Sequence, residues 1–357
     1  MDLGTLQSIQ QNFLEELQKA AKGKKTSLPF IEHQLAPTPI VKNDEVFAVL
    51  VIGGSIFKKA IVKRKNNTLE FLKKKQKQQP PFYKKEDLLK FIESELEEDI
   101  SVLAINFAYP LSPVFENGKL DGKLVSGSKE NTFSGLQGEK VGEEIEKYIF
   151  EKRGKKVIVS VANDTICLLL SGLTSYPWNN LAGGIVGTGI NFAIFLSEQR
   201  LVNLESASFD KFPQSEEGKE IDGVSTQPGR ALFEKETAGA YLFRHFNAII
   251  AKQHLHLTQI ASTYELKMIA IKNTPPASTI AKKLIERSAA LIACQIGGIT
   301  KFQDKDMVFV MEGSFFWEEH IYKKLVETYL EKLIPQYNIK FVKVEDSTIF
   351  GAAKLVA

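Results

Sequence analysis

Residues 157–172 constrain the fold of this chain more than any other stretch. They begin with the β-branched run VIVSV, which predicts a buried strand, and they end with the apolar run ICLLL, which predicts a buried helix. Asn163, Asp164 and Thr165 lie between the two runs, and such residues favour the start of a helix. The sequence therefore predicts a strand that turns directly into a helix, with the Asp164 carboxylate near backbone N–H groups and away from bulk water. Taken alone, this carboxylate is better explained as a helix cap, and the rest of the chain changes that balance.

The size and composition of the chain are typical of a soluble globular protein. Its 357 residues are too many for one ordinary core, so we expect two domains of similar size. Hydrophobic residues make up 43% and charged residues 25% of the sequence. The net charge of +3 is mild, and the lysine clusters at residues 22–25 and 73–77 have no interleaved aromatic residues. They indicate solvated faces, and we expect no nucleic-acid partner.

Other sequence features predict a cytoplasmic protein. No apolar run reaches the length of a membrane span, and the polar N-terminus is unlike a signal peptide. The two cysteines, Cys167 and Cys294, lie in apolar helical contexts. We therefore expect buried thiols in a reducing compartment and no membrane partner.

Two glycine-rich turns, each between predicted strands, are the next informative feature. The first is Gly53-Gly54-Ser55, after the strand VFAVLVI, and the second is GTG at residues 187–189, after AGGIV. Glycine lets a phosphate approach the backbone closely, although either turn alone can be a plain hairpin. Two such turns suggest duplicated α/β halves. Because the sequence has no P-loop, GxGxxG, HExxH or zinc spacing, a phosphate site here must use backbone amides.

The remaining elements follow from periodicity and composition. Helical spacing of apolar residues predicts helices over 3–21 and 230–254. Residues 111–138, rich in Gly, Ser, Asn and Lys, predict a loop, and the acidic residues 214–222 predict a flexible segment. The small residues at 351–357 predict a short C-terminal helix.

Several motifs resemble those of the hexokinase family. VIGGSIFK at residues 51–58 resembles the first phosphate loop of that family, where DLGGTNFR is usual. VANDT at 161–165 is similar to VNDT, and IVGTGIN at 185–191 differs from IVGTGTN at one position. PGRALFEK at 228–235 resembles NPGxxxFEK, and DSTIFGAA at 346–353 resembles DGSGxGAA.

Shorter matches fill the spaces between these motifs. FAYP at residues 107–110 resembles FSFP, Ser128-Lys129 stands where the family has Thr-Lys, and NLE at 203–205 resembles NxE. MEGS at 311–314 resembles the strand turn of the second half of the family. Each motif is weak alone. Their number, order and spacing carry the resemblance, which extends from Leu6 to Ala357.

The resemblance implies an α/β fold with two ribonuclease H-like domains, of the actin-like ATPase type, closing over a cleft. It implies an N-terminal helix and connector at 1–43, a small domain at 44–164 to which the C-terminal helix 351–357 returns, and a large domain at 165–350. It also implies transfer of the γ-phosphate of ATP, with Mg²⁺, to the 6-hydroxyl of glucose or a related hexose. A monomer or homodimer is expected.

The resemblance further implies roles for individual residues. Asp164 is expected to be the general base on the sugar hydroxyl, and Lys129 to hold the sugar and offset charge at the reacting oxygen. The other expected sugar ligands are Ser128, Asn163, Asn191, Glu205 and Glu234. The residues expected to bind the nucleotide are Gly53, Gly54, Ser55, Lys58, Gly187, Thr188, Gly189, Gly313, Ser314 and Gly351. A polyol needs several polar ligands because each hydroxyl loses water on binding.

Departures from the family pattern leave two alternatives. Val51 stands where the family has an aspartate that helps organise Mg²⁺, so we expect no direct metal ligand there. Ala108 replaces a sugar-binding serine. The chain can therefore also be a sugar-binding or regulatory protein with weakened catalysis. An actin-like ATPase is a further alternative, which the residues around Asp164 and Glu234 disfavour.

Overall fold

The computed structural model of the protein describes residues 1–53, 55–66, 68–128, 131–272, 274–317 and 321–357. Its strands are β1 (Ile31–Gln34), β2 (Val46–Ile52), β3 (Ile56–Lys65), β4 (Thr68–Gln78), β5 (Val102–Phe107), β6 (Leu111–Glu116), β7 (Lys119–Leu124), β8 (Ile158–Ala162), β9 (Leu181–Val186), β10 (Ile190–Ser197), β11 (Arg200–Asn203), β12 (Met307–Glu312) and β13 (Ile339–Val342). Its helices are α1 (Leu3–Ala20), α2 (Lys85–Glu95), α3 (Val141–Arg153), α4 (Asp164–Ser171), α5 (Glu216–Gly223), α6 (Leu232–Thr237), α7 (Gly239–Lys252), α8 (Thr263–Lys272), α9 (Ala277–Gln303), α10 (Ser314–Trp317), α11 (Ile321–Leu333) and α12 (Ser347–Ala353). Two predicted site residues, Gly54 and Lys129, lie outside the described ranges.

The strands form two larger sheets and a separate hairpin. One sheet has the order β1–β11–β10–β9–β12–β13, and the other has the order β4–β3–β2–β5–β8. In the second sheet β2, β3 and β4 pair antiparallel, whereas β5 pairs parallel with both β2 and β8. Helix α2 precedes β5 and α3 precedes β8 along the chain, as parallel strands require a crossover. The predicted α/β class is confirmed.

The internal contacts of the chain divide it into two compact units. Unit 1 comprises Met1–Phe30, Gly184–Phe192 and Leu204–Phe341, and unit 2 comprises Ile31–Gly183, Ala193–Asn203 and Val342–Ala357. The domain bounds inferred from sequence stay a prediction.

The core of unit 2 is built on β2, β5 and β8 with α2 and α3 packed against them. Every residue of β5 is buried, and so is every residue of β2 after the first. Phe107 and Phe133 pack against each other in this core, with ring centroids 5.5 Å apart and planes tilted by 47°. Burial on both faces explains the continuous apolar runs of these strands in the sequence.

The predicted loop at 111–138 is wrong in its first half, where β6 and β7 form a hairpin. The register runs from Leu111 opposite Leu124 to Glu116 opposite Lys119. The turn is Asn117-Gly118, whose φ angles are 53° and 73°, as a two-residue type I′ turn requires. The Asn-Gly pair is the sequence signal for this hairpin, and the polar residues around it hide the alternation.

The flexible segment predicted at 214–222 is also wrong, because α5 covers most of it and extends to Gly223. Ser215 caps this helix: its Oγ accepts a hydrogen bond from the Gly218 N–H at 3.0 Å. The helix predicted at 230–254 is two helices, α6 and α7, interrupted at Ala238, whose ψ of 152° is extended. The C-terminal helix α12 begins earlier than predicted, at Ser347.

The interior contains two cysteine thiols and a hydrogen-bonded aspartate. Both cysteines are buried thiols that form no disulfide, as predicted, and burial raises the pKa of the Cys294 thiol to about 12. Asp121 in β7 accepts hydrogen bonds from the N–H groups of Gly142 and Glu143 at 2.8 and 2.9 Å, and so caps α3 from outside the helix. No helix in the described ranges combines the length and hydrophobicity needed to span a bilayer.

Candidate functional site

Three parallel strands of unit 2 end at one edge of their sheet. Ile52 at the end of β2 pairs with Phe107 of β5, and Asn106 pairs with Ala162 at the end of β8. The first glycine turn follows β2 directly, and Asp164 follows β8 after a single residue. Gly53, which is predicted to bind phosphate, and Asp164, the predicted base, therefore lie at the same edge of the sheet.

Asp164 is the first residue of α4, and its surroundings favour the protonated carboxyl. The Asn163 Oδ1 accepts from the Ile166 N–H at 3.1 Å, which confirms Asn163 as the helix cap. The Asp164 Oδ1 accepts from the N–H and the hydroxyl of Thr165 at 2.7 and 3.2 Å. Burial raises the pKa of Asp164, and the hydrogen bonds from Thr165 oppose that rise only in part. Such a carboxylate is suited to accept a proton.

The first glycine turn is held by a side chain that the sequence analysis missed. The Gly53 N–H donates to Gln79 Oε1 at 3.0 Å, and the Gly53 carbonyl accepts from Gln79 Nε2 at 2.6 Å. The Tyr109 hydroxyl donates to the same carbonyl at 2.7 Å. The Gln79 N–H also donates to the Ser55 carbonyl at 2.8 Å. The Gly53 amide is thus bonded within the protein, and it can contact a phosphate only if Gln79 moves.

Other predicted residues of unit 2 have ordinary structural contacts. Lys58 is half-buried in β3, directly across from Val51. The exposed Ser128 accepts at its Oγ from the Asn131 N–H at 3.2 Å. Gly351 is buried in α12, where a Cβ would lie 1.7 Å from the Cys167 carbonyl oxygen. Close packing of α12 on α4 therefore requires glycine at this position.

The end of β2 offers no carboxylate. Val51 is 7% exposed, and the residue beside it on β5 is Asn106, which is fully buried. The Asn106 Oδ1 and the Thr348 Oγ1 are buried with no hydrogen-bond partner in the described part of the chain. Among the described residues, no group of three or more His, Cys, Asp and Glu side chains is arranged to hold a metal ion.

The second glycine turn belongs to unit 1 and is bonded to the start of α7. The Gly187 N–H donates to the Gly189 carbonyl at 2.9 Å, which closes the turn. The Gly187 carbonyl accepts from the Gly239 N–H at 2.8 Å, and the Thr188 carbonyl accepts from the Ala240 N–H at 3.2 Å. The side chain of Thr188 remains exposed at the tip of the turn.

Gly313, which follows β12, packs directly against this turn. Its φ is +112°, and a Cβ there would lie 2.0 Å from the Val186 carbonyl oxygen. Only glycine permits this approach. Unit 1 therefore brings the predicted nucleotide residues Gly187, Gly313 and Ser314 together.

Three predicted sugar ligands also meet in unit 1. The Asn191 Oδ1 accepts from the Ser206 N–H at 3.2 Å, which ties β10 to the residue after Glu205. The Glu234 Oε2 accepts from the Ile190 N–H at 3.1 Å. Burial raises the pKa of Glu234, and the negative charge of Glu205 raises it further, against the hydrogen bond from Ile190. Asn191, Glu205 and Glu234 thus form one polar cluster.

A buried lysine fixes the loop that leads to Glu234. Lys235 is 3% exposed, and its Nζ donates to Asp222 Oδ1, Ser225 Oγ and the Gln227 carbonyl at 2.5, 2.9 and 2.8 Å. The sequence analysis named Lys235 only as part of a motif. Its partners lie as far as 13 positions away in the chain, so periodicity gives no signal for them.

Unit 1 also contains an apolar cavity of about 370 Å³. It lies among α8, α9, α10 and α11, next to the Gly313 turn. Its lining residues are Lys267, Ala270, Ile271, Lys282, Ile285, Glu286, Phe315, Ile321, Tyr322 and Leu325.

Sequence comparison identifies the family to which these features belong. Two family models described as hexokinase match residues 1–174 and 248–357. Hexokinase-1 of Saccharomyces cerevisiae is 25% identical over 279 residues, which cover 68% of this chain and 57% of that protein. Hexokinase-2 of Rattus norvegicus is 24% identical over 433 residues, which cover 99% of this chain and 46% of that protein. The chain therefore spans about half the length of these curated relatives.

Structural comparison shows the fold of that family. A crystal structure of hexokinase matches with a TM-score of 0.81 and 18% identity, covering 100% of this chain and 96% of that one. Hexokinase from Schistosoma mansoni complexed with glucose matches with a TM-score of 0.77 and 19% identity, covering 100% and 95%. This likeness confirms the predicted fold class. Since hexokinase sequence models match most of the chain and the hexokinase fold covers all of it, the chain belongs to the hexokinase family, as a divergent member.

Proposed function

We propose that this chain is a sugar kinase that transfers the γ-phosphate of ATP to the 6-hydroxyl of glucose or a related hexose. The observation that carries the proposal is Asp164, a carboxylate with a raised pKa at the carboxyl ends of three parallel strands. Membership of the hexokinase family and the glucose bound by the Schistosoma mansoni hexokinase support the choice of substrate class.

Asp164 is proposed as the general base. As the sugar hydroxyl oxygen bonds to the γ-phosphorus, its proton passes to an Asp164 carboxylate oxygen, and the bond to the β-phosphate oxygen breaks to release ADP. The hydrogen bonds from Thr165 to Oδ1 fix the orientation of this carboxylate. They also leave Oδ2 as the oxygen that receives the proton.

The polar cluster of unit 1 is proposed to bind the other sugar hydroxyls. Asn191, Glu205 and Glu234 supply oxygens that accept hydrogen bonds, and backbone contacts hold Asn191 and Glu234 in place before substrate arrives. Asn163 and Ser128 of unit 2 are proposed as further sugar ligands, as implied by the family pattern, because a polyol requires several. Lys129 is proposed to offset charge at the reacting oxygen, as implied by the family pattern.

The nucleotide is proposed to lie along unit 1 from the second glycine turn to the apolar cavity. The exposed Thr188 and the backbone of Gly189 are suited to bind phosphate oxygens. The cavity beside Ser314 has an apolar wall that fits the base of the nucleoside.

Mg²⁺ accompanies ATP in this family, but the residues at the end of β2 do not fit a direct metal site. Val51 has no oxygen to offer, and the neighbouring Asn106 Oδ1 is a neutral amide oxygen. Mg²⁺ prefers carboxylate oxygens and keeps several of its waters. We therefore assign no direct protein ligand to the ion.

Sugar-dependent release of ADP tests the proposed function. The protein is incubated with ATP and Mg²⁺, with and without glucose, fructose and mannose, in a coupled assay. We expect ADP release that depends on the hexose. Binding of glucose without any ADP release would instead identify a sugar-binding protein that has lost catalysis. Release of ADP that is independent of sugar would identify an ATPase.

A further inference from the structure

A second cavity of unit 1 has no part in the proposed reaction. It measures about 500 Å³ and lies between α5, α7 and the start of α9. We call it the α7–α9 cavity. Part of its lining is apolar and comprises Ile249, Leu255, Pro276, Ile280 and Leu284. The polar part of the lining includes Glu217, His245, Thr279, Lys283 and Arg287.

The charges around the α7–α9 cavity leave one lysine uncompensated. Glu217 lies 3.9 Å from the Lys252 Nζ, and the Arg287 Nη2 lies 2.6 Å from a carboxylate oxygen of Glu236. Lys283 is exposed at the rim and forms no ion pair with any carboxylate in the described ranges. A cavity with an apolar wall and a free cation at its mouth fits a small organic anion that has an apolar body.

The back of the α7–α9 cavity contacts α6 at the two residues that follow Glu234. His245 is 2% exposed, and its Nε2 lies 2.8 Å from the Lys235 carbonyl oxygen. Because a carbonyl can only accept, Nε2 carries the proton and Nδ1 is left unprotonated in the neutral ring. Arg287 holds Glu236 through Nε and Nη2.

These contacts give a ligand of the cavity a short route to the sugar cluster. Helix α6 has only six residues, and its Glu234 bonds the Ile190 N–H. A ligand that shifts His245 or Arg287 must shift α6, because both side chains are bonded to consecutive residues of that short helix.

We propose that the α7–α9 cavity binds a small organic anion with an apolar body, of the class of a medium-chain carboxylate, and that its occupancy changes the position of Glu234. The binding half stands on the cavity alone. The coupling half rests on the proposed function, in which Glu234 binds the sugar.

Decanoate is the probe for binding, measured by calorimetry on the full chain. We expect one saturable site, with affinity reduced about tenfold in Lys283→Glu, where the partner of the carboxylate is reversed in charge. The matched control is Lys282→Glu, which makes the same charge change at the next residue of α9 but faces the apolar cavity. It should change the affinity less than twofold. A further variant, Thr279→Trp, fills the mouth of the cavity without changing the charge and should abolish decanoate binding.

Several results would overturn the binding half. They are the absence of saturable binding, an equal effect of Lys282→Glu and Lys283→Glu, and displacement of decanoate by ATP. The last result would locate the anion in the apolar cavity instead. Thermal melts of each variant show whether it is folded, and the exposed positions 279, 282 and 283 make folding the expected outcome.

Glucose affinity with and without saturating decanoate tests the coupling. We expect a change of about threefold or more in the natural protein and none in Thr279→Trp, in which decanoate no longer binds. An unchanged affinity would overturn the coupling. If no sugar binds at all, the proposed function fails, and the coupling is measured instead by hydrogen exchange of the α6 amides. Decanoate should slow their exchange, and unchanged rates would contradict the coupling.

Discussion

Gln79 bonds both polar groups of the Gly53 backbone. Its Oε1 accepts from the Gly53 N–H at 3.0 Å, and its Nε2 donates to the Gly53 carbonyl at 2.6 Å. Gln79 is 7% exposed and is thus itself held in place. The side-chain amide of Gln79 therefore fixes the backbone of Gly53 through two hydrogen bonds, as a paired strand would.

Removing this amide should loosen the turn and destabilise the fold. We predict that Gln79→Ala lowers the free energy of unfolding by about 2 kcal/mol, because two hydrogen bonds worth about 1 kcal/mol each are lost from a buried side chain. Urea unfolding measures the difference. The control is Gln78→Ala, since Gln78 is the exposed neighbour at the end of β4. Equal free energies of unfolding for the two variants would show that Gln79 does not stabilise the turn.

The raised pKa of Glu234 predicts that sugar affinity depends on pH. Burial and the charge of Glu205 favour the protonated form of Glu234. As pH falls from neutral through this raised pKa, Glu234 gains a proton and ceases to accept hydrogen bonds at both oxygens. Glucose affinity should therefore fall at a pH above the ordinary range of a glutamate. In Glu234→Gln the affinity should be lower at neutral pH, and this acid limb should be absent. An identical limb in the variant would contradict the assignment.

His33 predicts a loss of stability in mild acid. Burial lowers the pKa of His33 from 6.5 to about 4, although the hydrogen bond to the Ile31 carbonyl opposes the shift. Between these values the unfolded chain binds a proton that the folded chain does not. The contribution of His33 to the free energy of unfolding is therefore complete above pH 6.5 and is lost as pH falls toward 4. This loss amounts to about 3 kcal/mol.

Urea unfolding at neutral and mildly acidic pH measures this contribution. In His33→Leu the free energy of unfolding should fall less between the two conditions than in the natural protein. The exposed His254 supplies the control, and His254→Gln should keep the full pH dependence. A pH dependence retained in His33→Leu would assign the acid sensitivity to other groups.

Because Val51 offers no oxygen to the ion or its waters, we expect the natural protein to turn over slowly when Mg²⁺ is limiting. We expect that Val51→Asp raises the initial rate at limiting Mg²⁺ about fivefold, because a carboxylate at the end of β2 can orient the waters of the ion. Lys58 lies directly across from this position and can compensate the new charge. Val51→Asn, which has the same shape without the charge, is the matched control. A folded Val51→Asp protein with an unchanged Mg²⁺ dependence would show that this is not a metal position here.

The sequence predicts those parts of the fold that depend on residues close together in the chain. Asn163 caps α4 because its side chain reaches an amide three residues ahead, and such local chemistry is visible in the residue types. The Asn117-Gly118 pair indicates the β6–β7 hairpin, but the polar residues on both sides obscure the alternation of apolar and polar residues that would predict its strands. The α5 helix was not predicted because its acidic composition indicates a flexible segment, although Ser215 is a residue type that favours the start of a helix.

The contacts that shape the candidate site could not be predicted in the same way. Gln79 and Gly53 are 26 positions apart, and Ile190 and Glu234 are 44 apart. Periodicity carries no information about such pairs, and only the resemblance to a family suggested that Glu234 belongs with Asn191. The raised pKa of Asp164 likewise depends on burial by residues distant in the chain.

The most direct test of the account compares turnover and sugar binding in Asp164→Asn. The substitution keeps the shape of the side chain and removes its ability to take a proton. We predict that kcat falls by a factor of about 10² to 10⁴, while the glucose dissociation constant measured by calorimetry changes less than about threefold. The exposed Asp210 supplies the control, and Asp210→Asn should keep both values. Turnover in Asp164→Asn equal to that of the natural protein would contradict the central claim.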